Sequence, residues 1–230
     1  MKYKSAIAGN PNCGKTRIFN SLTGGRQHVG NWPGVTVERK SGKFSRSESK
    51  FDVIDLPGTY SLAAFSAEEK IARQYLIDDE PDVVVNIIDA SNLERNFFLT
   101  TQLIELGRPL VVVLNMMDMA EEKGLEIDIQ TLATLIGAPV VAVVGRTGEG
   151  IDLLKEKILR VAEERSLNSR PIEITYPRDI EAELSKVIAL ISPNDESTQL
   201  ARWTAVKLLE SDQQTRDEVK RIMKIGKPGG

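Results

Sequence analysis

The chain has 230 residues, a net charge of −3 and a pI near 5.5, which leaves room for one α/β domain with a small appendage and argues against nucleic acid as the main partner. A single cysteine rules out a disulfide framework and a single histidine rules out a zinc cluster, as fits a reducing cytoplasm. No apolar run approaches the roughly 18 residues of a membrane span, and Met1-Lys2-Tyr3-Lys4 leads straight into a strand without room for a signal peptide. The chain is expected to be soluble.

The first predicted strand, at residues 5–8, runs into Gly9-Asn10-Pro11-Asn12-Cys13-Gly14-Lys15-Thr16, a match to G-x-x-x-x-G-K-[ST]. Such a loop turns tightly at its glycines and points successive N–H groups at an anion. Lys15 can reach β- and γ-phosphates, the Thr16 hydroxyl can hold Mg²⁺, and a helix beginning near Lys15 and carrying Arg17 in its first turn adds its positive dipole end. A chance Gly-rich turn is the alternative, and the strand–loop–helix context weighs against it. Residues 23–34 are dense in glycine and without periodicity, and read as a long mobile loop. Strands at 40–44 and 51–54, joined by the polar turn Ser45–Ser49, form a predicted antiparallel hairpin at the sheet edge. The second of them delivers Asp55-Leu56-Pro57-Gly58, where a Walker-B-type Asp binds Mg²⁺ through water and Gly58 can offer an N–H to a γ-phosphate. An ordinary D-x-P-G turn would look the same.

Residues 59–67 read as a loop, 68–76 as a helix, and Val83–Asp89 as a buried parallel strand. Asn92 is the expected cap of a helix ending before Gly107. The buried strand at 110–114 delivers Asn115-Met116-Met117-Asp118, a helix is expected over 125–136, and a last strand at 140–144 opens onto Gly145-Arg146-Thr147-Gly148 before a helix at 151–164. Alternating strands and helices predict a doubly wound, mostly parallel sheet with the motif-bearing loops at one end, over residues 1–165. Residues 166–177 read as a linker with an extended piece at 172–174. Residues 178–230 read as a small helical appendage: Ile180, Leu184, Val187, Ile188 and Ile191 share one helical face, Leu200, Trp203, Val206 and Leu209 another, and a weaker helix spans 215–225. Asp179, Ser197 and Asp212 are the expected caps, and the tail 226–230 is expected to be flexible.

Asn115 and Asp118 form N-x-x-D at a strand end. A carboxylate there accepts from guanine N1–H and the 2-amino group, donors that adenine lacks, so the base is chosen. Met116 stands where N-K-x-D has lysine, so the base contact there is a thioether. The P-loop, the stretch Val29-Gly30-Asn31-Trp32-Pro33-Gly34-Val35-Thr36-Val37-Glu38, and Asp55-Leu56-Pro57-Gly58-Thr59-Tyr60-Ser61-Leu62 together resemble the cytoplasmic N-terminal GTPase domain of the ferrous iron transport protein B (FeoB) family. The G-N-W-P-G-V-T-V-E stretch is the most specific of the three. The resemblance covers the first 165 residues and implies a P-loop GTPase fold with GTP or GDP, Mg²⁺ and K⁺ as ligands. It implies that the appendage is a GDP-dissociation-inhibitor-like domain, and that a transmembrane permease portion of the same polypeptide, at the cytoplasmic face of the inner membrane, is the partner. A homo-oligomer is compatible with it.

The resemblance further implies that Thr36, with Gly34 and Val35 beside it, closes on Mg²⁺ and the γ-phosphate, making residues 25–38 switch I and 59–67 part of switch II. The expected nucleotide ligands are thus Gly9 to Arg17, Gly34 to Thr36, Asp55, Gly58, Asn115, Met116, Asp118, and Val144, Gly145 and Arg146, which stand where an S-A-K-like loop is usual. Ras-like enzymes place a glutamine at the position of Thr59, which cannot orient water as a carboxamide does, so intrinsic hydrolysis is expected to be slow. The residues expected to carry turnover are Asn12, Lys15, Thr36 and Gly58. Asn12 is the expected K⁺ ligand, as the family implies, with bracing of the loop by its side chain as the plainer alternative. Glu68 and Glu69 fit a helix N-terminal turn, His28 a solvated loop, and Cys13 a P-loop position where small side chains serve. A tRNA-modification or ribosome-assembly GTPase and a non-catalytic nucleotide sensor are the competing functions; the first would bring a basic RNA-binding domain.

Overall fold

The computed structural model describes residues 1–166, 174–192 and 199–225. A seven-stranded sheet has the spatial order β2-β3-β4-β1-β5-β6-β7, with β1 Lys2–Gly9, β2 Gln27–Asn31, β3 Glu38–Arg46, β4 Ser49–Asp55, β5 Val83–Asp89, β6 Leu110–Asn115 and β7 Val140–Ala142. β4, β1, β5, β6 and β7 are mutually parallel, and β3 and β2 add an antiparallel edge. The expected doubly wound sheet is present, with α1 Lys15–Thr23, α2 Ala67–Asp78, α3 Leu93–Glu105, α4 Met117–Glu122, α5 Ile129–Ile136 and α6 Ile151–Ser166 between and after the strands.

β5 and β6 are continuous apolar runs because both faces of a central parallel strand are covered; Val83, Val85, Ile87, Val111 and Val113 are fully buried on one side with Ile18, Phe19, Leu154 and Ile158. At the antiparallel side, Phe44 pairs with Phe51 and Tyr3 with Phe51 in register. Their rings stack at 4.6 and 5.2 Å, so one aromatic ladder fixes the register of three strands.

Several local expectations are corrected. Residues 27–31 form an edge strand against β3, not a loop; all five are exposed, so no alternation betrays the strand in sequence. The helix expected over 125–136 begins only at Ile129, because Asp128 caps it by accepting from the N–H groups of Gln130 and Thr131 at 3.0 and 3.1 Å. Before α3 the cap is Asp89, which accepts from Ser91 N–H at 2.9 Å, while Asn92 ends a short 3₁₀ turn. α2 starts with a reciprocal capping box between Ser66 and Glu69.

A second compact unit holds the described residues from 174 onward together with Glu105–Gly107 at the end of α3. It contains α7 Arg178–Ile191, α8 Gln199–Leu209 and α9 Gln213–Ile225. Leu184 and Ile188 pack with Ala201, Ala205 and Val206, and Tyr176, Val187 and Ile191 flank them. Ile180, Leu200 and Leu209 are exposed, against expectation. Pro177, without a side-chain cap bond, precedes α7, so Asp179 lies inside the first turn and does not cap it. Asp212 does cap α9 through Thr215 N–H at 2.8 Å. The extended piece expected at 172–174, except Ile174, the cap expected at Ser197 and the tail 226–230 lie outside the described residues. Among the described residues, no helix is long and apolar enough to cross a membrane.

Within this unit Arg202 forks onto Glu181, with N–O separations of 2.9 and 2.7 Å, and donates to Ile174 O at 2.7 Å. These bonds, and the Tyr176 N–H, hold Glu181 well below the usual carboxylate range, at about 2. A depressed folded pKa gives stability that is complete above the unfolded value and disappears as pH falls through the folded one. The protection factors of α7 and α8 amides should therefore fall between pH 4.5 and 2 more steeply in the wild-type chain than in Arg202→Met. Parallel profiles in the two proteins would remove the pair from the acid response.

Candidate functional site

β1 ends at Gly9, and the chain turns through Asn12 (φ 67°) and Gly14 (φ 91°) into α1. A Cβ on Gly9 would overlap Ile87 O, and one on Gly14 would overlap Asn115 Nδ2, so glycine is the residue that lets this loop lie against β5 and the end of β6. Gly14 supplies no side-chain cap to α1, and the first turn of α1 contains no acidic residue. The N–H groups of Arg17 and Ile18 donate to Gly14 O at 3.1 and 3.3 Å, while those of Lys15 and Thr16 have no intrahelical acceptor and lie at the positive end of the helix dipole. Ser66, Asp128 and Asp212 cap α2, α5 and α9; α1 has no such side chain, and its free N–H groups suit an anion.

Lys15 Nζ lies 3.4 Å from Asp55 Oδ1, an ion pair with both side chains largely covered. That oxygen is buried without a hydrogen bond of good geometry, and burial pushes the carboxyl's pKa up although Lys15 pulls it down. A buried, under-satisfied carboxylate oxygen beside a phosphate-type loop fits a Mg²⁺ site of one carboxylate, the Thr16 hydroxyl, phosphates and water. Gly58 follows in the same strand end, where a Cβ would stand 3.2 Å from Pro11 Cα. Thr59 N–H donates to Gly9 O at 3.3 Å.

Asn115 ties the loops together. Its Nδ2 donates to Cys13 O at 2.9 Å, and its Oδ1 accepts from Gly145 N–H at 3.2 Å. The Gly145 N–H is thereby used, so an N–H facing a base from the Val144–Arg146 loop has to come from a neighbour. α4 begins after Met116, which takes a left-handed conformation (φ 61°), and it carries Asp118 exposed in its first turn. Lys123, just past α4, donates to Ser91 O and Oγ at 3.1 and 3.2 Å and holds that helix against the turn after β5.

One cavity of about 560 Å³ brings together Asn12, Gly14, Lys15, Thr16, Arg17, Asn115, Met116, Asp118, Val144, Gly145 and Arg146. Met117 and Met119 also line it; N-x-x-D marks only its two polar ends, so that pattern carries no signal for either methionine. Gly34, Val35 and Thr36 are exposed between β2 and β3 and do not line this cavity. Trp32, in the same segment, is buried edge-on against Tyr75 at 5.6 Å and under the Arg39 guanidinium at 5.1 Å.

Side chains nearby divide between bracing and availability. Asn10 is buried and donates weakly to Arg95 O at 3.4 Å. Asn12 is exposed, and among the described residues its side chain makes no hydrogen bond. Thr59 is buried with its hydroxyl donated to Ser61 O at 2.6 Å. Glu69 accepts from Ser61 Oγ and from Phe65 N–H at 3.1 and 2.9 Å, while Glu68 is exposed. His28 is exposed on β2. Cys13 is buried, and that burial pushes its thiol up to about 11, so it is no nucleophile.

The family model described as ferrous iron transport protein B matches residues 3–158, and the one described as the FeoB cytosolic helical domain matches residues 176–227. The chain is 47% identical over 213 residues to the Fe(2+) transport protein A/Fe(2+) transporter FeoB fusion protein of Porphyromonas gingivalis, covering 91% of the chain and 25% of that protein. It is 42% identical over 215 residues to the Fe(2+) transporter FeoB of Escherichia coli, covering 92% of the chain and 27% of that protein. It thus spans about a quarter of the length of these curated relatives. The cytosolic domain of the T. maritima FeoB iron transporter superposes with a TM-score of 0.88 in GDP form II, at 37% identity over 100% of this chain and 89% of that one. Its GMPPNP form gives 0.87 at 38% identity, over 99% and 88%. With both family models matched in order along one chain, this protein belongs to the ferrous iron transport protein B (FeoB) family.

Proposed function

We propose that this chain binds guanine nucleotide and hydrolyses GTP, as the cytoplasmic part of a ferrous iron transporter whose passage of Fe²⁺ it gates or powers. The observation that carries the reading is a single cavity lined both by the uncapped start of α1 with Lys15 and by the exposed Asp118 carboxylate. That pairs an anion site with an acceptor for guanine N1–H and the 2-amino group. The T. maritima relative in its GDP and GMPPNP forms supports the same ligand.

In this reading residues 1–165 are the G domain, 166–177 the linker and 178–230 a GDP-dissociation-inhibitor-like domain, with the transmembrane part of the same polypeptide as partner. Backbone N–H groups of the Gly9–Thr16 loop, Pro11 excepted, and the Lys15 ammonium bind the β- and γ-phosphates, with Arg17 beside them; Met116 lies against the base and Asn115 braces the loops that frame it. Thr16, Asp55 and Thr36 would hold Mg²⁺, and Asn12 would help hold K⁺. These ions supply positive charge where the transferring phosphoryl group becomes more anionic. Gly58 offers its N–H to the γ-phosphate. Thr36 reaches the metal only if the 32–37 segment moves, which makes that segment a switch. Thr59 cannot aim a water while its hydroxyl serves Ser61, and Glu69 is engaged in capping, so Asn12 is left as the polar side chain free to act at the loop.

Asp118→Asn should weaken GTP binding by roughly a hundredfold or more, since an amide donor meets a guanine donor. It should bind xanthosine triphosphate better than the wild type does. Calorimetry with both nucleotides checks this, and unchanged GTP affinity would take Asp118 out of the base site.

Turnover should be faster in KCl than in NaCl at equal ionic strength. A charge-stabilising group of this kind contributes on the order of 2–4 kcal/mol to the barrier, and Asn12→Ala should erase most of the K⁺ advantage while leaving GTP affinity nearly intact. In the same phosphate-release assay Thr36→Ala should cut turnover and largely spare binding. A fully K⁺-responsive Asn12→Ala protein would refute the first assignment, and normal hydrolysis by Thr36→Ala the second.

A further inference from the structure

Three of the chain's five methionines, Met116, Met117 and Met119, fall within four residues, and all three line the cavity that ends at Asp118. Met116 carries its methyl toward the phosphate loop: its Cε is 3.9 Å from where a Cβ on Gly14 would stand. Met119 is 44% exposed, and Met116 and Met117 are partly exposed. This wall is soft, apolar and reachable from solvent. The one cysteine nearby is shielded: Cys13 is buried, does not line the cavity, and its thiol stays protonated. The sulfur chemistry open to a small oxidant entering this cavity is therefore thioether chemistry.

We propose that Met116, Met117 and Met119 form an oxidation-sensitive wall of the nucleotide site, at which conversion to sulfoxide by peroxide weakens guanine-nucleotide binding. The inference rests on the guanine reading given above. In the step, a thioether sulfur gives a lone pair to one oxygen of hydrogen peroxide. The O–O bond breaks, an S–O bond forms, the sulfur is oxidised by two electrons, and the proton on the transferred oxygen passes to the departing hydroxide, which leaves as water. The product side chain is no longer apolar. It carries a strong acceptor with no donor facing it from the face of a purine, and a polar group pressed against an apolar ring without a partner is costly. The position where N-K-x-D has lysine would have given an alkyl stem inert to peroxide; Met116 makes the wall oxidisable. Sulfoxide formation is reversible by methionine sulfoxide reductases, so the effect is a switch and not damage alone.

The test uses the whole chain and GDP. Untreated protein is titrated with GDP by calorimetry, treated with hydrogen peroxide, mapped by peptide mass spectrometry, and titrated again. Oxygen should appear at Met116, Met117 and Met119, bound GDP should slow its arrival there, and Kd should rise about tenfold, the cost of one misplaced polar group. Methionine sulfoxide reductases should restore the original Kd. A Met116→Leu/Met117→Leu/Met119→Leu chain, compared only with itself, should show the same Kd before and after peroxide. Sulfoxides at the three positions with an unchanged Kd overturn the proposal, as does a leucine-substituted chain that loses affinity by the same factor. Reductase reversal and GDP protection in the wild-type chain decide the matter if the substituted chain does not fold. Untreated protein that binds no GDP overturns the guanine reading, and this one with it; normal binding before treatment with no change after it overturns this one alone.

Discussion

The close approach of the Gly9–Thr16 loop to the ends of β5 and β6 is the constraint on which the rest of the site depends. Side chains at Gly9 or Gly14 would collide with Ile87 O and Asn115 Nδ2, and only without them can Asn115 reach Cys13 O with one end of its amide and Gly145 N–H with the other. That single buried side chain sets the distance between the Gly9–Thr16 loop, the helix bearing Asp118 and the Val144–Arg146 loop. Two loops are thus held by one amide, so a small displacement of β6 would be felt in both at once.

A second layer of order comes from polar groups buried behind the loops. Thr100 donates to Oδ1 of Asn86, on β5, at 2.6 Å, and Gln102 accepts from Leu62 N–H, also at 2.6 Å. Asn96 accepts from Asp89 N–H at 3.3 Å and donates to Asn92 O at 2.7 Å. α3 therefore does more than cover the sheet: its polar face positions the turn after β5 and the loop after β4, where backbone groups would otherwise be unsatisfied. The segment around Thr36 has no such support at the cavity and is instead latched by Trp32 on Tyr75 and Arg39. The walls of the cavity and the segment around Thr36 thus differ in what holds them.

What could be read from the chain alone followed from local rules. The Gly-x₄-Gly-Lys-Thr spacing, the unbroken apolar runs of β5 and β6, and N-x-x-D at a strand end are patterns whose physical cause lies within a few residues. The same holds for the hairpin at 38–55. The misses have one character: at residues 27–31 nothing is buried, so the strand exists only because β3 offers its edge. Asp89 took the cap expected of Asn92, and Ser66 and Asp128 cap helices for which the sequence pointed to no cap, since a cap is decided by which side chain meets a free N–H.

The sequence by itself determined that a phosphate-type loop precedes a helix, that an acidic residue ends β4 and another follows β6, and that the sheet is mostly parallel, because each rests on residue type and short-range periodicity. Only the tertiary structure decided that Thr59's hydroxyl is spent on Ser61 and Glu69 on a cap while Asn12 stays exposed. It also decided that Met117 and Met119 join the cavity and that Thr36 stands outside it. Hydrogen-bond partners and cavity walls come from residues far apart in the chain, and no spacing rule along a sequence says which of two equally suitable side chains will find its partner first.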